Sequence, residues 1–155
     1  MATNLLEKPI ELREATPRDA AAITQLAEIM GYPSTLDQVR ENLNRMWNDD
    51  RHCILVAAMP GQGVVGWLHV FRHELVACKP FAEIGGLIVN DAFRGRRIGA
   101  QLLEAAEYWA KERGSDLLRV RTRAECEKAH QFYYRQGFEH LKTQLVLGKQ
   151  LDAVA

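Results

Sequence analysis

Two apolar, β-branched runs, HCILVAAM and VVGWLHVFRH, are separated only by PGQG. The Pro and Gly content of that spacer suits a short connection, so the pair predicts an antiparallel hairpin. A third run of the same kind, FAEIGGLIV, follows and is interrupted by Gly85 and Gly86. Paired glycines inside a strand mark a bulge or the close approach of another backbone, and function is expected to sit at that break.

Helices are predicted around this β-rich centre. In IELREATPRD, alternating Ile10 and Leu12 give way to Thr16 as N-cap, Pro17 at the first helical position and Asp19 in the first turn, so a strand hands over to a helix. Ile23, Leu26, Ala27 and Met30 repeat at helical spacing until Gly31 and Pro33. Thr35 and Gln38 resemble a second capping box before Leu36, Val39, Leu43, Met46 and Trp47. Further on, Leu102, Leu103, Ala106, Trp109 and Ala110 form a helical stripe that ends near Gly114. LLRVRT reads as a strand, Ala129, Phe132 and Tyr133 share a helix face closed by Gly137, and FEHLKTQLVL alternates again as a last strand. The order is β-α-α-β-β-β-α-β-α-β, a single α/β domain with a mixed sheet spanning residues 1–155.

With 155 residues and 47% hydrophobic content, the chain can bury a sizeable core. Twenty basic and twenty acidic residues balance, which argues against a nucleic-acid partner. The three cysteines show no C-x-x-C spacing, so buried free thiols are expected and no metal site is. Without a basic leader or a membrane-length apolar run, a cytoplasmic protein is expected.

The strand-to-helix join VNDAFRGRRIGAQLLEAA concentrates charge. A helix start leaves backbone N–H groups without partners and carries the positive end of the macrodipole, so glycines and arginines there suit a phosphate-bearing ligand. A solvated basic helix start is the alternative. No G-K-[ST] closes the turn, which excludes a P-loop, and the preceding hairpin disfavours a dinucleotide fold.

RGRRIGA and the later AHQFYYRQGF together resemble the GNAT superfamily of acyl-CoA-dependent N-acyltransferases. Its R/Q-x-x-G-x-G/A motif is matched by Arg94, Gly99 and Ala100, and its A-x-x-F-Y-x-x-x-G-F motif by Ala129, Phe132, Tyr133, Gly137 and Phe138. Residues 81–138 carry the specific resemblance. It implies the GNAT fold, with a splay between the fourth and fifth strands, and acetyl-CoA as cosubstrate. Backbone groups of Leu87, Ile88 and Val89 would grip pantetheine and offer an N–H to the oxyanion. The pyrophosphate would lie on Arg94, Gly95, Arg96, Arg97, Ile98, Gly99 and Ala100. Tyr133 is implied as the acid that protonates the leaving thiolate, since a phenol's ordinary pKa of about 10 keeps its proton at neutral pH. Glu83, in a strand resembling the histone acetyltransferase branch, would take the amine proton directly or through water. The alternative for Glu83 is an ion pair with an arginine of LRVRTR. Two positions depart from the family pattern: Arg97 replaces a usual glycine, and Cys126 replaces a polar residue that binds the pantetheine arm. If the loop keeps helical dihedrals, Arg97 can point outward.

Arg119, Arg121 and Arg123 share a strand face that could attract an acidic substrate or form ion pairs. His69 and His73 also share a face, without the carboxylate a metal site would add. Acceptor choice is expected from MGYPSTLDQ and HELVACKPF, with Tyr32, Trp67 and Phe71 as candidate pocket residues or ordinary core. The expected activity is acetyl transfer to the primary amine of a small molecule: an amino acid, a polyamine or an aminoglycoside-like compound. A protein lysine or N-terminus is the second choice, and a non-catalytic coenzyme A-binding module the third. A homodimer through TQLVLGKQ is expected by family analogy.

Overall fold

A computed structural model describes residues 9–154. They fall into two compact units, one ending at Arg121 and one beginning at Thr122.

In the first unit, five strands pair in the order β1-β2-β3-β4-β5. They are β1 (Glu11–Glu14), β2 (His52–Met59), β3 (Gly63–His73), β4 (Phe81–Val89) and β5 (Leu118–Val120). The hairpin expected at PGQG joins β2 and β3, and neighbours are antiparallel through β4. β4 and β5 run parallel. A parallel pair cannot be closed by a hairpin, and α3 (Ile98–Glu112) supplies the crossover. Its buried stripe of Leu102, Leu103, Ala106, Trp109 and Ala110 is the one the spacing predicts.

α1 (Ala20–Ile29) and α2 (Leu36–Met46) pack on the sheet through Ala20, Ile23 and Leu43, which cluster with Val56 and take in Ile54 and Trp67. The start of α1 is locked as its sequence suggests. The Thr16 side chain accepts from the Arg18 N–H, and Asp19 answers by accepting from the Thr16 N–H at 2.8 Å. Buried Asp19 also takes two hydrogen bonds from Arg13, at 2.8 and 3.0 Å, and this pairing holds its carboxyl below the usual range.

The second unit contains α4 (Glu127–Arg135), closed by Gly137 at φ 93°. The expected last strand does not form: residues 139–154 have no regular structure and every one is exposed. Alternation specifies which face a strand would bury, but a strand also needs a neighbour for its backbone groups. Among the described residues this segment has none. The cysteines also depart in part from expectation, since all are free but only Cys53 is buried. No helix among the described residues is long and apolar enough to cross a membrane.

Candidate active site

The sheet opens where the glycine pair predicts a break. β3 pairs with β4 from His73↔Phe81 to Gly66↔Val89, with a register shift that leaves Gly85 as the extra residue. β5 pairs only with Ala82, Glu83 and Ile84, so from Gly85 onward no described strand lies on that edge of β4. Leu87, Ile88 and Val89 thus present backbone on one side to β3 and on the other to no strand. Both glycines lie under aromatic side chains from β3. A Cβ on Gly86 would stand 2.8 Å from the Trp67 ring, and one on Gly85 3.0 Å from His69 Nδ1.

The chain then turns sharply into α3. Asn90 caps a single turn by accepting from the Ala92 N–H at 3.0 Å, and Arg94 reaches back to Asp91 at 2.7 Å. Gly95 at φ 82° and Arg97 at φ 59° are left-handed, and no side chain caps the helix. Gln101 N–H donates to Arg97 carbonyl at 3.0 Å as the first helical bond, so the N–H groups of Ile98, Gly99 and Ala100 have no intrahelical acceptor. Arg94, Arg96 and Arg97 are exposed around them. Positive dipole, open donors and guanidinium groups together suit an anion such as pyrophosphate.

Arg97 does not keep helical dihedrals. It is the one non-glycine residue with positive φ among those described, and its side chain points outward, 3.7 Å from Glu104. The glycine usual at this place in the family thus answers a backbone demand, because a Cβ is disfavoured in the left-handed region by about 1–2 kcal/mol. Arg97→Gly should therefore stabilise the fold by about 0.5–1 kcal/mol after the entropic cost of a glycine. That corresponds to a rise of about 1–4 °C in melting temperature by calorimetry. An unchanged or lower value would show that the loop bears no strain.

Cross-strand register assembles the second cluster. Phe71 stands opposite Glu83, His73 opposite Phe81, and Glu83 opposite Arg119. These residues share the sheet face that carries Trp67 and His69. Buried Glu83 accepts a hydrogen bond from Arg119 Nε at 2.6 Å, and Arg121 Nε lies 3.6 Å from the same Oε1. Oε2 accepts no hydrogen bond among the described residues. The Arg119 guanidinium also lies over the Phe81 ring at 4.6 Å. The ion pair weighed as the alternative for Glu83 is thus present, and it leaves one oxygen for an incoming group.

His69 Nε2 lies 2.9 Å from His52 Nδ1, so one ring donates to the other. Burial pushes His69 down to about 4 and His52 below its ordinary value, which keeps both neutral at neutral pH. Sequence reading singled out His69 but missed His52. The signal lay in strand parity, since His52 alternates with Ile54 and Val56 on that face. Trp67 is largely committed to packing against Leu26, Ala27 and Ile88, whereas Tyr32 is exposed. Among the described residues no group of three His, Cys, Asp or Glu is placed to hold a metal ion.

Tyr133 belongs to the second unit. Its ring meets Phe132 of α4 and Phe138 just beyond the helix edge-on, at centroid distances of 5.1 and 5.2 Å. The Phe138 N–H donates to the Tyr133 carbonyl at 3.0 Å, which folds the last motif residue back on the helix. Cys126 is the N-cap of α4 and makes no side-chain capping bond.

A mixed sheet opened at a glycine bulge, followed by an uncapped helix start that suits pyrophosphate, defines the class: an acyltransferase of the GNAT fold. The chain belongs to the acetyltransferase (GNAT) family, whose model matches residues 20–138. It is 30% identical over 132 residues to aminoglycoside N(6')-acetyltransferase type 1 of Stenotrophomonas maltophilia, covering 83% of this chain and 85% of that protein. It is 32% identical over 131 residues to the aminoalkylphosphonate N-acetyltransferase of Salmonella typhimurium, covering 83% and 84%. Among solved structures, aminoglycoside 6'-N-acetyltransferase AAC(6')-Ih of Acinetobacter baumannii superposes with a TM-score of 0.81. That likeness covers 93% of this chain and 100% of the other, and at 16% identity it is one of fold.

Proposed function

We propose that this N-acetyltransferase carries acetyl from acetyl-CoA to the primary amine of a small molecule. The observation that carries the reading is the uncapped start of α3, entered through left-handed Gly95 and Arg97 directly after a strand whose outer edge is unpaired. Pyrophosphate is held by the N–H groups at residues 95–100 with Arg94, Arg96 and Arg97 around them. Leu87, Ile88 and Val89 offer backbone groups to the pantetheine arm and to the developing oxyanion, where a fixed donor acts most strongly. Glu83 takes the amine proton through Oε2, and Tyr133 gives a proton to the leaving sulfur. Two relatives of about this length, at 30% and 32% identity, acetylate small amines by their names, which supports a small acceptor. The free cysteines are compatible with action in the cytoplasm. The exposed, alternating Leu141, Leu145 and Leu147 support a homodimer in which this segment finds its strand partner.

Thermal shift with coenzyme A and acetyl-CoA, followed by thiol release over a panel of amines, tests the proposal. A ligand at a hundred times its Kd stabilises the native state by about 2.7 kcal/mol, which for this size is about 5–11 °C. Absence of any shift would overturn the coenzyme A site. A shift without turnover on any amine or peptide would favour a binding module.

A further inference from the structure

The acceptor face is cationic at its centre. On the part of that face built by β3, β4 and β5, Glu83 is the only carboxylate among the described residues. Two arginines converge on it, Arg119 at 2.6 Å and Arg121 at 3.6 Å, both at Oε1. One guanidinium balances the carboxylate and the second is in excess. His52 and His69 do not change that balance, because their hydrogen-bonded pair is neutral. Three acids near the strand ends are already engaged, Glu74 by Arg72 at 3.1 Å, Asp116 by Lys79 at 2.7 Å and Asp49 by Arg51 at 2.8 Å.

The two arginines are not equivalent. The Arg119 side chain is only 16% exposed and is held by both Glu83 and the Phe81 ring, whereas that of Arg121 is 57% exposed. Arg121 therefore retains donors facing solvent. A guanidinium presents paired N–H groups that match the two oxygens of a carboxylate or phosphonate. A polycation brought to the same place would meet a net positive charge.

We infer that the acceptor is a small zwitterion, whose amine meets Glu83 Oε2 while its own oxyanion, a carboxylate or a phosphonate, is bound by Arg121. The inference rests on the reading of this face as the acceptor site. Because both arginines touch Glu83, the amine and the oxyanion of the acceptor are separated by only a few bonds. Arg121 is then a specificity residue, and its loss should fall on KM for the acceptor.

The test is a comparison of kcat/KM on the full chain for aminoethylphosphonate, β-alanine, propylamine, spermidine and kanamycin. Calorimetric binding of the two zwitterions to coenzyme A-saturated protein is measured alongside. The expected result is a preference of tenfold or more for a zwitterion over propylamine and both polycations, with the better of the two naming carboxylate or phosphonate. R121Q should lose that preference through KM, R121K should recover part of it, and coenzyme A should still raise the melting temperature of both variants. Equal or better use of propylamine or a polycation, or a preference that survives in R121Q, overturns the inference. Zwitterion binding that is lost in R121Q but without turnover supports anion recognition and overturns the transfer reading instead. No zwitterion binding overturns the inference whatever the turnover.

Discussion

Glu83→Gln is expected to lower kcat/KM by about 10²-fold, within the usual range for loss of a general base, and to destabilise the fold as well. The two effects have different origins. Gln keeps the size of the side chain but removes the charge that Arg119 faces at 2.6 Å. A guanidinium only 16% exposed is then left without its counterion, and breaking a buried pair from one side costs about 3–5 kcal/mol. Stacking on Phe81 and some access to water offset part of this, so about 2–3 kcal/mol in a denaturant titration is the expected loss. The double variant E83Q/R119Q separates the roles. Replacing both partners removes the orphaned charge, so stability should largely return. Activity should not return if Oε2 accepts the amine proton. Recovery of turnover with stability would make Glu83 a brace between β4 and β5 and nothing more.

The pairing of Glu83 shows where sequence reading reaches its limit. FAEIGGLIV displayed the carboxylate and the bulge, and Gly85 and Gly86 do face ring atoms that would crowd a Cβ. Whether Glu83 met an arginine or an open cleft depended on the parallel register of β5, set by a crossover that local patterning does not encode. The same holds for His52, whose partner lies across a hairpin in a register that only the turn and the bulges determine. Capping was legible because it is local. Thr16 with Asp19 closes a reciprocal capping box, whereas Thr35 forms only half of one: its side chain accepts from the Gln38 N–H, and the Gln38 side chain turns to Asn42 instead. The left-handed backbone at Arg97 was not legible, because a side chain does not announce a conformation that most residues avoid. The tail was misjudged. Leu141, Thr143, Leu145 and Leu147 have a strand's alternation, yet among the described residues they form no strand.

Tyr133→Phe is expected to lower kcat by about 10²–10⁴-fold with little change in coenzyme A binding, the range associated with a positioned general acid. The substitution removes one oxygen and keeps the ring, so the edge-on contacts with Phe132 and Phe138 survive and α4 should keep its form. An intact thermal shift with coenzyme A would verify that. The sign of the pH effect follows from the role. A phenol donates a proton only while it holds one, so wild-type turnover should decline on the alkaline side as that proton is lost, and the variant should lack this decline. The loss should also fall on the chemical step. Single-turnover acetyl transfer should slow by the same factor as kcat, whereas a tyrosine that only packs would change binding and leave that rate intact. A Phe variant with wild-type turnover and an unchanged alkaline limb would remove Tyr133 from the chemistry and assign the proton to water.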